Sequence, residues 1–398
     1  MAIWLKFTAY HTFVDNLFPL MMMQEQISRR AFFRASAAGL SVALSHRLLA
    51  ADEADVVPRT HELLRRDAEH APLAMQFRGQ SREEFQQWHE SFAAKLRSLL
   101  GPHTPPAKWK TITENVVELK DHTRQELVLV AEGHPSLPVY LLLPKGETKP
   151  ARPGVVAIHG HGDFGSAAVV GRDDLPGVAR AIAREHYDYG RQLVRRGYAV
   201  AAPCMTPFGR RIGSSYMYRG EHPCAVTFVR MQLLGRVLMA ENLRDCLWAV
   251  EMLARREEVD ATRLACVGLS YGGRMAMLTS ALEPRIRVCV SSGALNVMQE
   301  RIRLRYSCGA QVIPGLLRFG DVPEISSLIA PRHCIWEIGS RDSLISADWA
   351  EAALSRMRRA YTACGAADRL MIDRFDGGHR WSGRVAYPLM KKLLRPPA

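Results

Sequence analysis

The stretch Leu264-Ala265-Cys266-Val267-Gly268-Leu269-Ser270-Tyr271-Gly272-Gly273 decides how this chain folds. Four apolar residues lead into a G-x-S-x-G string, and 271–282 then reads as a helix. A serine placed between a strand and a helix sits on a sharp turn that strains its backbone, and side chains at the flanking positions would collide. Gly268 and Gly272 meet that need, and the helix N-terminus beneath Ser270 favours developing negative charge. An ordinary glycine-rich turn is the bland alternative, and the strand-turn-helix setting weighs against it.

Outward from this stretch, continuous apolar runs recur at 155–158, 199–202, 288–290 and 334–336, which implies a sheet covered on both faces. Helical runs such as 243–254 fall between them, so the fold class is α/β, with a mainly parallel central sheet flanked by helices on both faces. Short extended runs at 116–119, 126–131 and 139–143, bounded by Gly133-His134-Pro135 and Pro144-Lys145-Gly146, predict an antiparallel meander ahead of it. Before the meander the pattern is helical from 54 to about 103. Ser81-Arg82-Glu83-Glu84 is a capping box, and Phe85, Trp88, Phe92, Leu96 and Leu99 trace one apolar face. The expected organisation is therefore a leader over 1–51, an N-terminal helical segment over 52–110 and a catalytic α/β domain over 111–398. Residues 203–240 are too long for a simple connection and read as a lid or pocket wall.

With 398 residues, 47% hydrophobic and 23% charged, the chain has ordinary globular usage, which excludes disordered and collagen-like classes. No run in the body is long enough for a membrane span. The net charge of +13 is scattered among acidic residues rather than gathered in a basic block with interleaved aromatics, so no nucleic-acid partner is expected. Eight cysteines are spread without a C-x-x-C pair, so no structural zinc site is indicated. Cys204, Cys266, Cys289 and Cys334 lie in or beside apolar runs and read as buried free thiols, while one bridge among Cys224, Cys246, Cys308 and Cys364 fits an oxidising compartment.

A serine hydroxyl needs a base within hydrogen-bond reach and an acid to orient that base. Asp342, in Gly339-Ser340-Arg341-Asp342, follows the run 334–338, and His379, in Asp376-Gly377-Gly378-His379, follows 370–372. Asp373 and Asp376 rival Asp342 for the acid but stand too close in sequence to His379 for the usual geometry. An oxyanion needs two N–H donors. One is expected at Tyr271; the other is expected at His161 in His159-Gly160-His161-Gly162, with Gly160 and Gly162 letting the backbone approach closely. His159, His161 and Asp163 alternate as a metal set would, but the serine motif makes a metal redundant, so no metal and no organic cofactor is expected. Tyr216, Tyr218, Trp381 and 231–239 are candidates to line a pocket, although such stripes are more often core.

These motifs carry a resemblance. The order Ser270, Asp342, His379, the H-G-H-G run at His159 and the G-L-S-Y-G-G run at Gly268 resemble the α/β-hydrolase superfamily, and within it the acetyl xylan esterase and dienelactone hydrolase relatives. Dienelactone hydrolases carry a cysteine where this chain has Ser270. Similarity to acetyl xylan esterases implies removal of small acyl groups from sugar hydroxyls. The S-Y-G-G run is also similar to that of prolyl oligopeptidases, whose propeller the residues ahead of the catalytic strands are too few to build. Ser28-Arg29-Arg30-Ala31-Phe32-Phe33-Arg34, followed by a weakly apolar run and Leu48-Leu49-Ala50-Ala51, resembles a twin-arginine export signal. It implies the export machinery as a partner and a periplasmic or extracellular address, and Met21-Met22-Met23 makes residues 1–20 read as an upstream misread of the start codon. The expected protein is an exported serine carboxylic-ester hydrolase. A serine peptidase and a non-catalytic binding module of the same fold are the alternatives.

Overall fold

The chain's apolar runs become strands β1 (Lys110–Glu118), β2 (His122–Val130), β3 (Leu137–Pro144), β4 (Arg152–Ile158), β5 (Ala199–Pro203), β6 (Val259–Leu269), β7 (Ile286–Ser292), β8 (His333–Gly339) and β9 (Leu370–Phe375). They pair into one sheet in the order β1-β2-β3-β5-β4-β6-β7-β8-β9. The meander β1, β2, β3 and its junction with β5 are antiparallel, and every pairing from β5 to β9 is parallel. This computed structural model describes residues 59–146, 150–213, 218, 221–304 and 308–395. The leader expected at 1–51, its start at Met21 and Tyr216 lie outside the described residues.

Alternation along the central strands divides the core into two layers. Val156, Ile158, Cys266, Cys289 and Trp336 face one cluster, while Val155, Ala157, Val267, Val290 and Ile335 face the other. Both faces are covered, which is why these strands read as unbroken apolar runs. β1 is largely exposed, carries a register shift between Thr113 and Asn115, and ends the sheet with charged side chains, a device that blunts edge pairing. All eight cysteines are buried and free, including the four for which a bridge was an option. Among the described residues no helix is long and apolar enough to cross a membrane.

The six described helices of ten residues or more are α1 (Thr60–Glu69), α2 (Arg82–Leu100), α3 (Pro223–Leu233), α4 (Leu238–Ala254), α5 (Tyr271–Leu282) and α6 (Ala347–Ala363). The continuous helical pattern expected over 54–103 is interrupted between α1 and α2. Pro72 disfavours helix just before it, and the segment instead donates backbone N–H groups from Ala74 and Met75 to Arg318 O and Phe319 O at 3.1 and 2.8 Å. α2 begins at the capping box, with Ser81 Oγ accepting from Glu84 N at 3.1 Å and Glu84 Oε2 accepting from Ser81 N at 2.9 Å. Its face Phe85, Phe92, Leu96 and Leu100 is buried in the same cluster as α4 and α5. Leu100 takes the fully buried place expected for Leu99, and Trp88 stacks on Phe92 at 5.4 Å.

α2 is thus part of the sheet domain's own core rather than an appendage. Phe92→Ala removes a ring with no exposed surface, so urea denaturation of the variant should show a loss of about 3–5 kcal/mol. An unchanged midpoint would mean that α2 does not contribute to this core.

Candidate active site

The turn after β6 holds Ser270 at φ 62°, ψ −124°, a conformation that L-residues rarely adopt. Ser270 N donates to Ser292 O of β7 at 2.8 Å, anchoring the turn from one side. On the other side the turn presses against the end of β4: a Cβ on Gly272 would lie 2.0 Å from Ile158 O, and one on Gly268 would lie 2.3 Å from the Gly272 carbonyl. Both glycines are therefore steric requirements of the turn. Tyr271 opens α5, so its N–H has no intrahelical carbonyl to reach.

The loop after β4 reaches the same place. A Cβ on Gly160 would meet Leu269 O and Tyr187 Oη at 2.8 Å and Ser270 Cβ at 3.1 Å, so this loop lies directly against the Ser270 turn. Gly162 has open space around it and is required instead for its φ of 140°. His159 is a strap. Its Nδ1–H donates to Gly160 O at 2.7 Å, its Nε2 accepts from Met205 N at 2.9 Å, and full burial holds the ring neutral by lowering its pKa to about 4. Gly160 N donates to Tyr187 Oη at 2.7 Å. Asp163 is exposed, so the alternating set His159, His161, Asp163 does not converge.

Asp342 and His379 come from the loops after β8 and β9. Those loops are locked together: Ser340 N and Arg341 N donate to Phe375 O and Gly377 O at 2.9 and 2.8 Å. A Cβ on Gly339 would lie 2.4 Å from Gly378 O. The result is a 2.8 Å hydrogen bond from His379 Nδ1–H to Asp342 Oδ2, with Asp342 buried and its Oδ1 accepting from Leu344 N at 3.0 Å. The His379 ring lies over Gly293, where a Cβ would be 2.9 Å from Cε1. The rival acids are occupied elsewhere: Asp376 is exposed and pairs with Arg341, and buried Asp373 pairs with Arg384 and accepts from Ser382 Oγ at 2.8 Å. Ser270, His161 and His379 line one cavity of about 360 Å³.

The strained serine turn between a central parallel strand and a helix, with Asp342 and His379 following in that order from later strand ends, decides the architecture. The chain has the α/β-hydrolase fold. Residues 234–297 match the prolyl oligopeptidase family. A Bacillus subtilis (strain 168) protein assigned as a hydrolase, YtaP, is 29% identical over 310 residues, spanning 76% of this chain and 97% of that one. Among solved structures, a Bacteroides fragilis protein assigned as an acetyl xylan esterase superposes with TM-score 0.70 at 16% identity, covering 85% of this chain and 96% of that one. A methylesterase superposes with TM-score 0.60 at 16% identity, covering 85% and 71%.

Several groups that line this cavity carry no signal in the sequence: Glu185, Tyr187, His222, Arg301, Cys308 and Gln311. They arrive from separate connections, and only His222 falls within the 203–240 segment expected to form a pocket wall. Trp381, by contrast, is core: it is 1% exposed and stacks on Tyr189 at 4.7 Å. Met239 is buried in the main cluster, Met231 packs against it, and Tyr218 is not a lining residue. The Cys224 thiol beside Cys308 pulls the Cys308 pKa down, aided by the His161 ring, and Cys224 shifts up in return.

Glu337 of β8 fixes the chain that follows His379. It accepts from Ser382 N at 3.1 Å and Gly383 N at 2.8 Å. Burial pushes its carboxyl up from 4.5 to about 7 against these donors. A folded-state value above the unfolded one means that the folded protein binds the extra proton. The contribution to stability is full below pH 4.5 and is lost as pH rises toward 7, amounting to about 3 kcal/mol. Wild type should therefore lose more urea resistance than Glu337→Gln between these pH values; parallel profiles would contradict the assignment.

Proposed function

We propose that this α/β-hydrolase is a serine carboxylic-ester hydrolase. The observation that carries the reading is the 2.8 Å His379–Asp342 hydrogen bond in a cavity shared with a serine on a strained turn. With Nδ1–H given to Asp342, the free Nε2 of His379 is the base that takes the Ser270 proton as Oγ attacks an ester carbonyl. The Tyr271 and His161 amides hold the oxyanion. His379 then protonates the leaving alcohol, and the acyl-serine is hydrolysed by a water that the same imidazole activates. The chain's own residues supply every step.

The substrate we propose is a small acyl ester, acetyl above all, on a carbohydrate or similar alcohol. A cavity of about 360 Å³ lies at the small end of ligand sites, and the likeness to a protein assigned as an acetyl xylan esterase supports the same class. The export signal read at Ser28–Arg34 adds an exported address to this proposal. A serine peptidase is the second reading, favoured by the prolyl oligopeptidase match over 234–297.

Hydrolysis of p-nitrophenyl acetate, butyrate and octanoate tests both parts. Ser270→Ala should lower kcat/KM by more than about a thousandfold, and acetate should be the best substrate of the three. An unaffected variant would remove the nucleophile, a preference for octanoate would remove the small-acyl assignment, and peptide-amide turnover above ester turnover would favour the peptidase.

A further inference from the structure

His161, Cys224 and Cys308 converge from three separate connections. Each offers one ligand atom, and these atoms all lie within 4.8 Å of one another. His161 comes from the loop after β4, Cys224 from the first turn of α3, and Cys308 from the residue before the short 3-10 turn Gly309–Gln311. The His161 ring is fixed in orientation, edge-on to Phe208 at 5.4 Å and tilted against Tyr271 at 5.0 Å. Its Nε2 is buried without a hydrogen-bond partner, a costly arrangement unless something else takes the lone pair or proton. Both cysteines are buried and unbridged.

We propose that His161, Cys224 and Cys308 bind a thiophilic divalent cation of the zinc class, with one coordination position open to the cavity that holds Ser270. Two sulfurs and an imidazole nitrogen select zinc-like ions over magnesium or calcium, which require oxygen. In a tetrahedral zinc site with bonds of about 2.3 Å the sulfurs stand about 3.8 Å apart, so closure from the observed spread needs a movement of at most about 1 Å. Three protein ligands leave a fourth position. Because His161 and Cys308 line the cavity together with Ser270, that position is reached from the substrate side. Binding releases the remaining thiol protons to solvent. It also ties α3 and the 308–311 turn to the loop that carries His161.

The site needs no assumption about the ester reaction, so its test reads metal rather than turnover. Full-length protein is reduced, stripped with a chelator, equilibrated with equimolar zinc, desalted and analysed for metal content, beside Cys224→Ser, Cys308→Ser and Cys364→Ser. Cys364 is buried elsewhere, with its thiol donating to Tyr361 O at 3.3 Å, and serves as the control for a lost buried cysteine. One zinc per chain is expected in wild type and Cys364→Ser, with affinity lower by at least about tenfold in the other two variants. Cobalt in place of zinc should give thiolate-to-metal charge-transfer absorption in wild type, a readout that requires no variant to fold. No uptake by reduced wild type, or uptake without the thiolate band and unchanged in Cys224→Ser and Cys308→Ser, would overturn the site. A Cys224–Cys308 disulfide that replaces metal uptake would do the same.

Discussion

The contact between the turn after β6 and the end of β4 is the constraint on which the site depends. Gly272 approaches Ile158 O so closely that no side chain fits, and the same register places Ile158 opposite Gly268 in the parallel pair. Neighbouring parallel strands therefore end level, and the loops that leave them start from one plane. The strained Ser270 backbone costs about 1–3 kcal/mol. It is held by hydrogen bonding to Ser292 on one side and by tight packing against β4 on the other.

The same logic extends along the sheet edge. β8 and β9 are paired up to Gly339 and Phe375, so Asp342 and His379 leave adjacent strand ends, and backbone bonds between their loops set the distance between the two side chains. Behind them, fully buried Arg274 of α5 donates to Asn296 O at 2.6 Å, and Asn296 Nδ2 donates to Leu344 O at 3.2 Å. The helix that follows Ser270 is thereby connected to the loop that carries Asp342. Glu337 performs the corresponding task for the segment after the base. Catalytic geometry of this kind rests on supporting hydrogen bonds as much as on the reacting groups.

Much of this was legible in the sequence because the decisive features are local. The strand, turn and helix around Ser270 occupy a dozen residues, and each glycine there answers a steric demand. Asp342 and His379 could be picked out because chain order and strand ends are also local signals, and the structure hydrogen-bonds the two; their rivals Asp373 and Asp376 could be set aside by spacing and are engaged with Arg384 and Arg341. The antiparallel meander showed itself through turn residues. What stayed hidden is tertiary. Tyr187, Glu337 and Arg301 are ordinary residues in ordinary contexts until the loops converge. Cys224 and Cys308 are separated by the whole of α4, β6, α5 and β7, so no spacing rule brings them to His161. Trp381 stood between pocket and core in the sequence, and its stacking on Tyr189 puts it in the core.

We propose that Ser270 is an activated nucleophile held by its turn and served by His379. The most direct measurement is treatment of the folded protein with a fluorophosphonate, followed by peptide mass mapping, for wild type and for His379→Ala. A single stoichiometric adduct on Ser270, formed rapidly in wild type and very slowly in the His379 variant, is the predicted result. Adduct formation at another residue, or equal labelling rates in the two proteins, would contradict it.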